Sequence, residues 1–187
     1  MVLPHLEYCC PLWSPTVIGK IRDLEAVQRS FTVKMNGLAN LDYWARLKRL
    51  GLYSIERRRE RYLIIYTYKI IRGLVPNMKE EKYELKTKSS ARRGRECVIP
   101  GLNPQATGRV QNLIDSSFPI NGPRLFNCLP KSIRDCEASV DTFKTKLDKF
   151  LKMVPDQPCM PGYQQSASRN SIIKQVDTLK AAGIFLN

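Results

Sequence analysis

The chain has 187 residues, 43% of them hydrophobic and 26% charged, which supports one ordinary globular core or two small ones and excludes a wholly disordered polypeptide. Against 17 Asp and Glu stand 31 Lys and Arg, a formal net charge of +14 that points to a polyanionic partner. Nucleic acid is favoured over a membrane surface, because no stretch reads as a transmembrane span and the basic residues do not gather beside an anchor.

The opening "MVLPHLEYCCPLW" lacks a basic leader region and a long apolar run ending in a cleavage site. A reducing, intracellular setting, cytoplasmic or nuclear, is therefore expected. Within it, "LEYCCPLWSP" reads as a packing corner in which Tyr8, Leu12 and Trp13 bury area and Pro11 and Pro15 set the turns. Cys9, Cys10, Cys97, Cys128, Cys136 and Cys159 form no C-x-x-C pair, and His5 is the only histidine. The spacing that closes a chelate loop around a tetrahedral ion is missing, so buried thiols without a metal are expected.

Next, "TVIGKIRDLEAVQRSFTVKM" places Ile18, Ile21, Leu24, Val27 or Gln28, and Phe31 at steps of three and four. The spacing predicts an amphipathic helix with those residues inward. "NGLANLDYWARLKRLG" predicts a turn and a shorter helix with Asp42 as N-cap, Leu47 and Leu50 inward, and Gly51 at its end. "SIERRRERYLIIYTYKIIRGL" predicts the longest helix, opened by Ser54 and stopped by Gly73 and Pro76. Its first turns carry Glu56, Arg57, Arg58, Arg59, Glu60 and Arg61, and its later turns are apolar, so half is expected in solvent and half in the core. Arginines near a helix N-terminus oppose the macrodipole at a cost of a few tenths of a kcal/mol. Two readings stay open for them: contact with phosphates, or a solvated face laced with local ion pairs.

From Met78 to Ser117 the chain is a basic connector rich in Gly, Pro, Ser and Lys or Arg, with room for two short strands. Its densest cluster, "SSARRGR", holds Arg92, Arg93 and Arg95. "FPINGPRLFNCLPKSIRD" then sets Phe118, Leu125, Phe126 and Leu129 among three prolines, an aromatic docking segment held in turns. "SVDTFKTKLDKFLKMVP" predicts a closing helix capped by Ser139 or Asp141, with Val140, Phe143, Leu147, Phe150, Leu151 and Val154 inward. A linker and a weak tail helix in "SIIKQVDTLKAAG" complete it. The expected fold is mainly α, a small helical bundle with an irregular basic middle. Its divisions are 1–77 helical, 78–117 connector, 118–155 docking segment and closing helix, and 156–187 linker and tail.

Four strings, "PHLEYCCPLWSP", "IRDLEAVQRSFT", "NLDYWARLKRLGLYSIERRRERYLIIYTYKIIRGL" and "LFNCLPKSIRDCEASVDTFKTKLDKFL", stand in that order. Together they resemble the segment downstream of the polymerase core in reverse transcriptases of non-LTR (LINE-type) retrotransposons, over most of residues 2–155. The resemblance implies the end of a helical thumb region followed by a basic C-terminal extension. Where the family commonly has a Thr-Arg-Gly-His-like element this chain has "ARRGR", with Arg95 in the histidine's place, and Phe126 replaces the tryptophan of Trp-Asn-x-Leu-Pro. The first departure argues against a histidine-dependent role, and the second keeps a large aromatic.

Polymerisation by two metal ions needs converging carboxylates, which the family supplies from an Asp-Asp pair on an upstream hairpin. This chain has no Asp-Asp, and its only adjacent acids, Glu80 and Glu81, lie in the charged connector. Phosphate-loop and nucleophile-elbow patterns are also missing, so no enzyme, cofactor or small-molecule substrate is expected. Two readings remain. In the first the chain binds RNA or DNA backbone through Arg57, Arg58, Arg59, Arg61 and Lys69 on the long helix and Arg92, Arg93 and Arg95 in the connector. In the second it is a structural piece, without activity of its own, whose apolar faces pack against a polymerase palm, or a part of a complete reverse transcriptase.

Overall fold

The computed structural model describes residues 3–15, 17–75, 84–87, 95–98, 117–157 and 170–184, with isolated positions 108, 110 and 114. Nine helices and one hairpin are seen among them: α1 (Leu3–Glu7), α2 (Cys10–Trp13), α3 (Ile18–Val33), α4 (Tyr43–Leu50), α5 (Ile55–Ile71), β1 (Glu84–Thr87), β2 (Arg95–Val98), α6 (Phe118–Asn127), α7 (Lys131–Arg134), α8 (Val140–Met153) and α9 (Ile172–Ala181). The fold is mainly α, a small helical bundle. The two strands pair antiparallel, with Glu84 opposite Val98 and Thr87 opposite Arg95.

Helix α5 is the axis of the bundle, and α1, α2, α3, α6 and α8 all pack against it. Leu63, Ile64, Tyr68 and Ile70 from α5 meet Leu125 and Phe126 of α6, Phe143, Leu147, Phe150 and Leu151 of α8, and Ile172 and Val176 of α9. Each such side chain, fully buried, contributes roughly 1.5–3 kcal/mol. Tyr68 stacks on Phe143 with ring centroids 3.9 Å apart and donates its hydroxyl to the Ala138 carbonyl at 2.5 Å. Gly122 lets α6 approach α5, because a Cβ there would lie 2.6 Å from Thr67 Oγ1 and 2.9 Å from the Phe118 ring.

Several elements form as expected from the sequence. Asp42 accepts the Trp44 and Ala45 amides at 2.8 and 3.0 Å, and Gly51 ends α4 at a positive φ of 64°. Ser54 accepts the Arg57 amide, Ser139 accepts the Thr142 amide, and the inner stripe of α8 from Phe143 to Val154 is buried.

Four expectations are corrected. In the corner, Tyr8 and Leu12 are exposed and Trp13 is 39% exposed, while Cys10 is the buried residue. The reason is the left-handed turn at Cys9, φ 51°, which starts α2 and swings the large side chains outward. Along α3 Ile21 and, of the two alternatives, Gln28 are buried as the spacing allows, but Glu25 and Thr32 complete that face while Val27 and Phe31 face outward. Glu25 and Gln28 win because they satisfy buried polar groups that no apolar side chain could. The proline-rich docking segment is helical: Pro119 sits in the first turn, where its missing N–H costs nothing, and buried Leu125 and Phe126 hold the turns beyond Pro123. The tail helix forms where expected and joins the core, with Ile172 and Val176 buried. The first turns of α5 are also interior, because Glu56, Arg57, Arg59 and Glu60 are each buried.

Candidate nucleic-acid interface

The charged start of α5 splits around the helix into an inward and an outward set, since neighbouring residues point about 100° apart. Inward, Arg57 is wholly buried. Its Nη1 donates to the Leu151 and Val154 carbonyls at 3.3 and 3.0 Å, its Nη2 donates to Pro155 O at 2.5 Å, and its Nε lies 3.7 Å from Asp156. A guanidinium here caps the C-terminal end of α8, where carbonyls lack intrahelical partners and the dipole favours positive charge. Asp156 in turn accepts the Ser54 amide and hydroxyl, both at 2.7 Å, and the Asn170 side-chain amide at 2.8 Å.

The acids of this region cap helices as well. Glu25 of α3 accepts the Ile55 amide at 3.1 Å and the Glu56 amide at 3.4 Å, together with the Tyr43 hydroxyl, and so closes the N-terminus of α5 from outside. Burial pushes the Glu25 carboxyl above its ordinary value despite those donors. Glu60 accepts the Ser171 hydroxyl and the Ile172 amide, both at 2.6 Å, and Glu56 accepts the Asn170 amide at 3.0 Å, so the two acids of α5 fix the start of α9. Arg59 lies under the Trp13 ring, 5.9 Å from its centroid, beside a cavity of about 10 Å³, and desolvation lowers its pKa. Arg57 and Arg59 are therefore corrected from phosphate ligands to interior supports: at 0% and 3% exposure their side chains are committed to the interior and do not reach a polyanion.

Outward, Arg58, Arg61 and Tyr62 join Tyr53, Lys152 and Asp148 around an open groove of about 320 Å³ between α5, α8 and the Gly51 turn. Glu7 of α1 accepts from Arg58 Nε and, at 3.1 Å, from the Tyr62 hydroxyl. Asp148 of α8 takes Arg61 in a two-point contact, Nε at 2.6 Å and Nη2 at 2.8 Å, and holds that guanidinium's pKa above its ordinary value. Burial raises the pKa of Tyr53 and of Tyr62, so both rings are neutral phenols at physiological pH. Three cations and one carboxylate, Asp148, line the groove, and Glu7, paired with Arg58 from beside it, brings the local formal charge to +1. One step along α5, Lys69 lines an adjoining hollow of about 170 Å³ that shares Tyr62 with the groove.

Of the eight residues picked from the sequence, the structure brings Arg58 and Arg61 together and sets Lys69 beside them. Arg95 opens β2, and Arg92 and Arg93 lie outside the described residues. Sequence reasoning missed Tyr53, Tyr62 and Lys152. A signal for two of them existed: Arg58 and Tyr62 are four apart, and Lys152 follows Asp148 by four on the closing helix, spacings that share a helix face.

The four free thiols among the described residues are Cys9, Cys10, Cys128 and Cys136. Burial pushes Cys10 up to about 11 and Cys128 up to about 12, which makes both poor nucleophiles and poor metal ligands. No group of three or more His, Cys, Asp or Glu side chains that could hold a metal occurs among the described residues, and no helix there is long and apolar enough to cross a membrane. No protein-family model, curated protein or solved structure matches the chain.

Proposed function

We propose that this chain is a non-catalytic, intracellular nucleic-acid-binding piece, the C-terminal portion of a non-LTR (LINE-type) retrotransposon reverse transcriptase, that grips RNA or DNA backbone. The observation that carries the binding is the groove in which Arg58, Arg61 and Lys152 converge beside two tyrosines, on a chain of net charge +14. Backbone contacts of this kind position without specifying, so binding is salt-dependent and nearly indifferent to sequence. The parentage rests on the motif series of residues 2–155 alone. A non-catalytic role is supported by the employment of Glu25, Glu56, Glu60 and Asp156, each of which accepts backbone amides at a helix start.

The test is fluorescence anisotropy with labelled RNA and DNA oligonucleotides at two salt concentrations. Binding that weakens with salt, and weakens further in an Arg58→Ala, Arg61→Ala double variant, supports the reading. Indifference to oligonucleotides in dilute buffer, or extension of a primer by the purified chain, overturns it.

A second reading, a packing piece of a larger polymerase, is favoured by a different observation. Leu12 is 86% exposed, and with Pro11, Trp13, Phe118 and Pro119 it borders a hollow of about 410 Å³. Apolar surface of this kind marks a face that another protein part covers. Aggregation of the isolated chain without salt-dependent oligonucleotide binding favours this reading over the first.

A further inference from the structure

We propose that the groove between α5, α8 and the Gly51 turn takes a single strand of nucleic acid in preference to a duplex, with a base packed on the Tyr62 ring and the neighbouring phosphate held by Arg58 and Lys152. The inference rests on the binding role proposed above and names the form of nucleic acid that the groove admits.

Its volume, about 320 Å³, is at the lower end of the roughly 300–1,000 Å³ of clefts that seat one compact ligand unit. Tyr62 is 39% exposed and lines both the groove beside Arg58, one turn before it, and the hollow of Tyr66 and Lys69, which begins one turn after. Bases in a duplex have both faces covered by their neighbours, so an accessible ring in a recess has nothing there to stack upon. An unpaired base presents a free π-face, and every base presents one, which makes stacking tolerant of sequence.

The charges are arranged to match. Arg58 spends its Nε on Glu7, and no hydrogen bond engages its two terminal nitrogens among the described residues, so the guanidinium is oriented before a phosphate arrives. The same carboxylate accepts the Tyr62 hydroxyl, which couples the ring and the cation into one unit. Glu7 is thus a positioning residue. With a formal charge of only +1, the groove suits one or two phosphates, fewer than a duplex engages along a basic face.

The experiment compares matched single strands and duplexes by anisotropy on the full chain, with Tyr62→Leu, Tyr62→Phe and Arg58→Ala variants whose folding is verified by thermal melts. Tyr62→Leu is expected to weaken single-strand binding by about 5- to 150-fold, the range set by losing one stacked base, and to leave duplex binding within about twofold. Tyr62→Phe keeps the ring and keeps the binding. Arg58→Ala reduces the slope of log affinity against log salt by about 0.7 on single strands. Equal affinity for single strand and duplex with no effect of Tyr62→Leu overturns the inference and leaves the binding role standing. A loss with Tyr62→Phe as large as with Tyr62→Leu also overturns it, since the hydroxyl and not the ring would then matter. No binding to any oligonucleotide overturns the binding role itself.

Discussion

Arg57 and Arg58 are adjacent in the chain, carry the same side chain and begin the same helix, yet one is a wholly buried cap on α8 and the other forms the wall of an open groove. Glu56 and Glu60 share the inward side with Arg57, while Arg61 and Tyr62 share the outward side with Arg58. About 100° of rotation between neighbours turns them to different surroundings, and the partners met there complete the difference. A run of charges on a helix therefore reports how many ionic groups are present, and the angular position of each decides whether it is structural or available to a partner. Here the inward charges are matched to helix ends, which provide partial charges of the opposite sign.

The largest effect should come from breaking the inward set at Arg57. Arg57→Ala leaves three carbonyls without their buried donor and Asp156 without the cation 3.7 Å away, and is expected to destabilise the chain by roughly 3–5 kcal/mol, as removal of one partner of a buried charge cluster does. Arg57→Lys keeps the charge but offers one compact ammonium to carbonyls on Leu151, Val154 and Pro155, so only part of the loss, about 1–3 kcal/mol, is expected. Urea unfolding midpoints distinguish the two. A neutral Arg57→Ala would mean that this side chain is not the cap described.

A smaller effect is expected where the inward set reaches α9. Glu60→Ala removes the acceptor of the Ser171 hydroxyl and the Ile172 amide and should cost about 1–3 kcal/mol. Hydrogen exchange provides the local readout: the amides of α9 should lose protection first, while those of α8 keep theirs. Uniform loss across the bundle would show instead that α9 and α8 open together.

How far the sequence reveals this arrangement depends on the kind of signal. Caps at Asp42, Ser54 and Ser139 and the apolar stripe of α8 are legible because they are local, one residue type at one spacing. The inward role of Arg57 is not legible, because its partners lie more than 90 residues along the chain, at Leu151, Val154 and Pro155. Along α3 the hydrophobic period misleads for a related reason. Glu25 and Gln28 are drawn inside by the amides of Ile55 and Glu56 and the carbonyl of Tyr53, partners that periodicity does not represent. The corner at residues 6–15 fails through one backbone residue, Cys9 in the left-handed region, which composition gives no reason to place there. The groove is half legible: Arg58 and Arg61 stand in a basic run of the sequence, but the tyrosines that give it character come from the Gly51 turn and the next turn of α5.

Acid titration isolates one inward group. The Glu25 carboxyl is raised above its ordinary 4.5 by burial, opposed by its hydrogen bonds from Tyr43 and the Ile55 and Glu56 amides and reinforced by Asp156. An acid raised in the folded state contributes stability that is fully present below its unfolded value and is lost as pH rises through its folded value. Wild-type stability relative to Glu25→Gln should therefore fall as pH increases upward from about 4.5, then level off once Glu25 is ionised. Urea midpoints across that window check it, and a relative gain in stability with rising pH would mean that the amides outweigh burial.

The smallest stability effect belongs to the outward set, and it sharpens the comparison because it separates folding from binding. Arg61 and Asp148 are 21% and 36% exposed, so water and salt screen their pairing, and Asp148→Asn should change stability by only about 0–1 kcal/mol. The same change removes the one carboxylate that lines the groove and releases the Arg61 guanidinium from its two-point contact. Formal charge there rises from +1 to +2, so oligonucleotide affinity should increase at low salt and the salt dependence should steepen by about 0.7 in slope as one more phosphate is engaged. On the inward side the corresponding change, Asp156→Asn, touches Arg57, Ser54 and Asn170 together and should lower stability without raising affinity. If both aspartate changes alter stability alike, the division of α5 into a supporting side and a binding side is wrong. If only Asp148→Asn tightens binding, the charge available to a polyanion is the part that the fold has not already consumed.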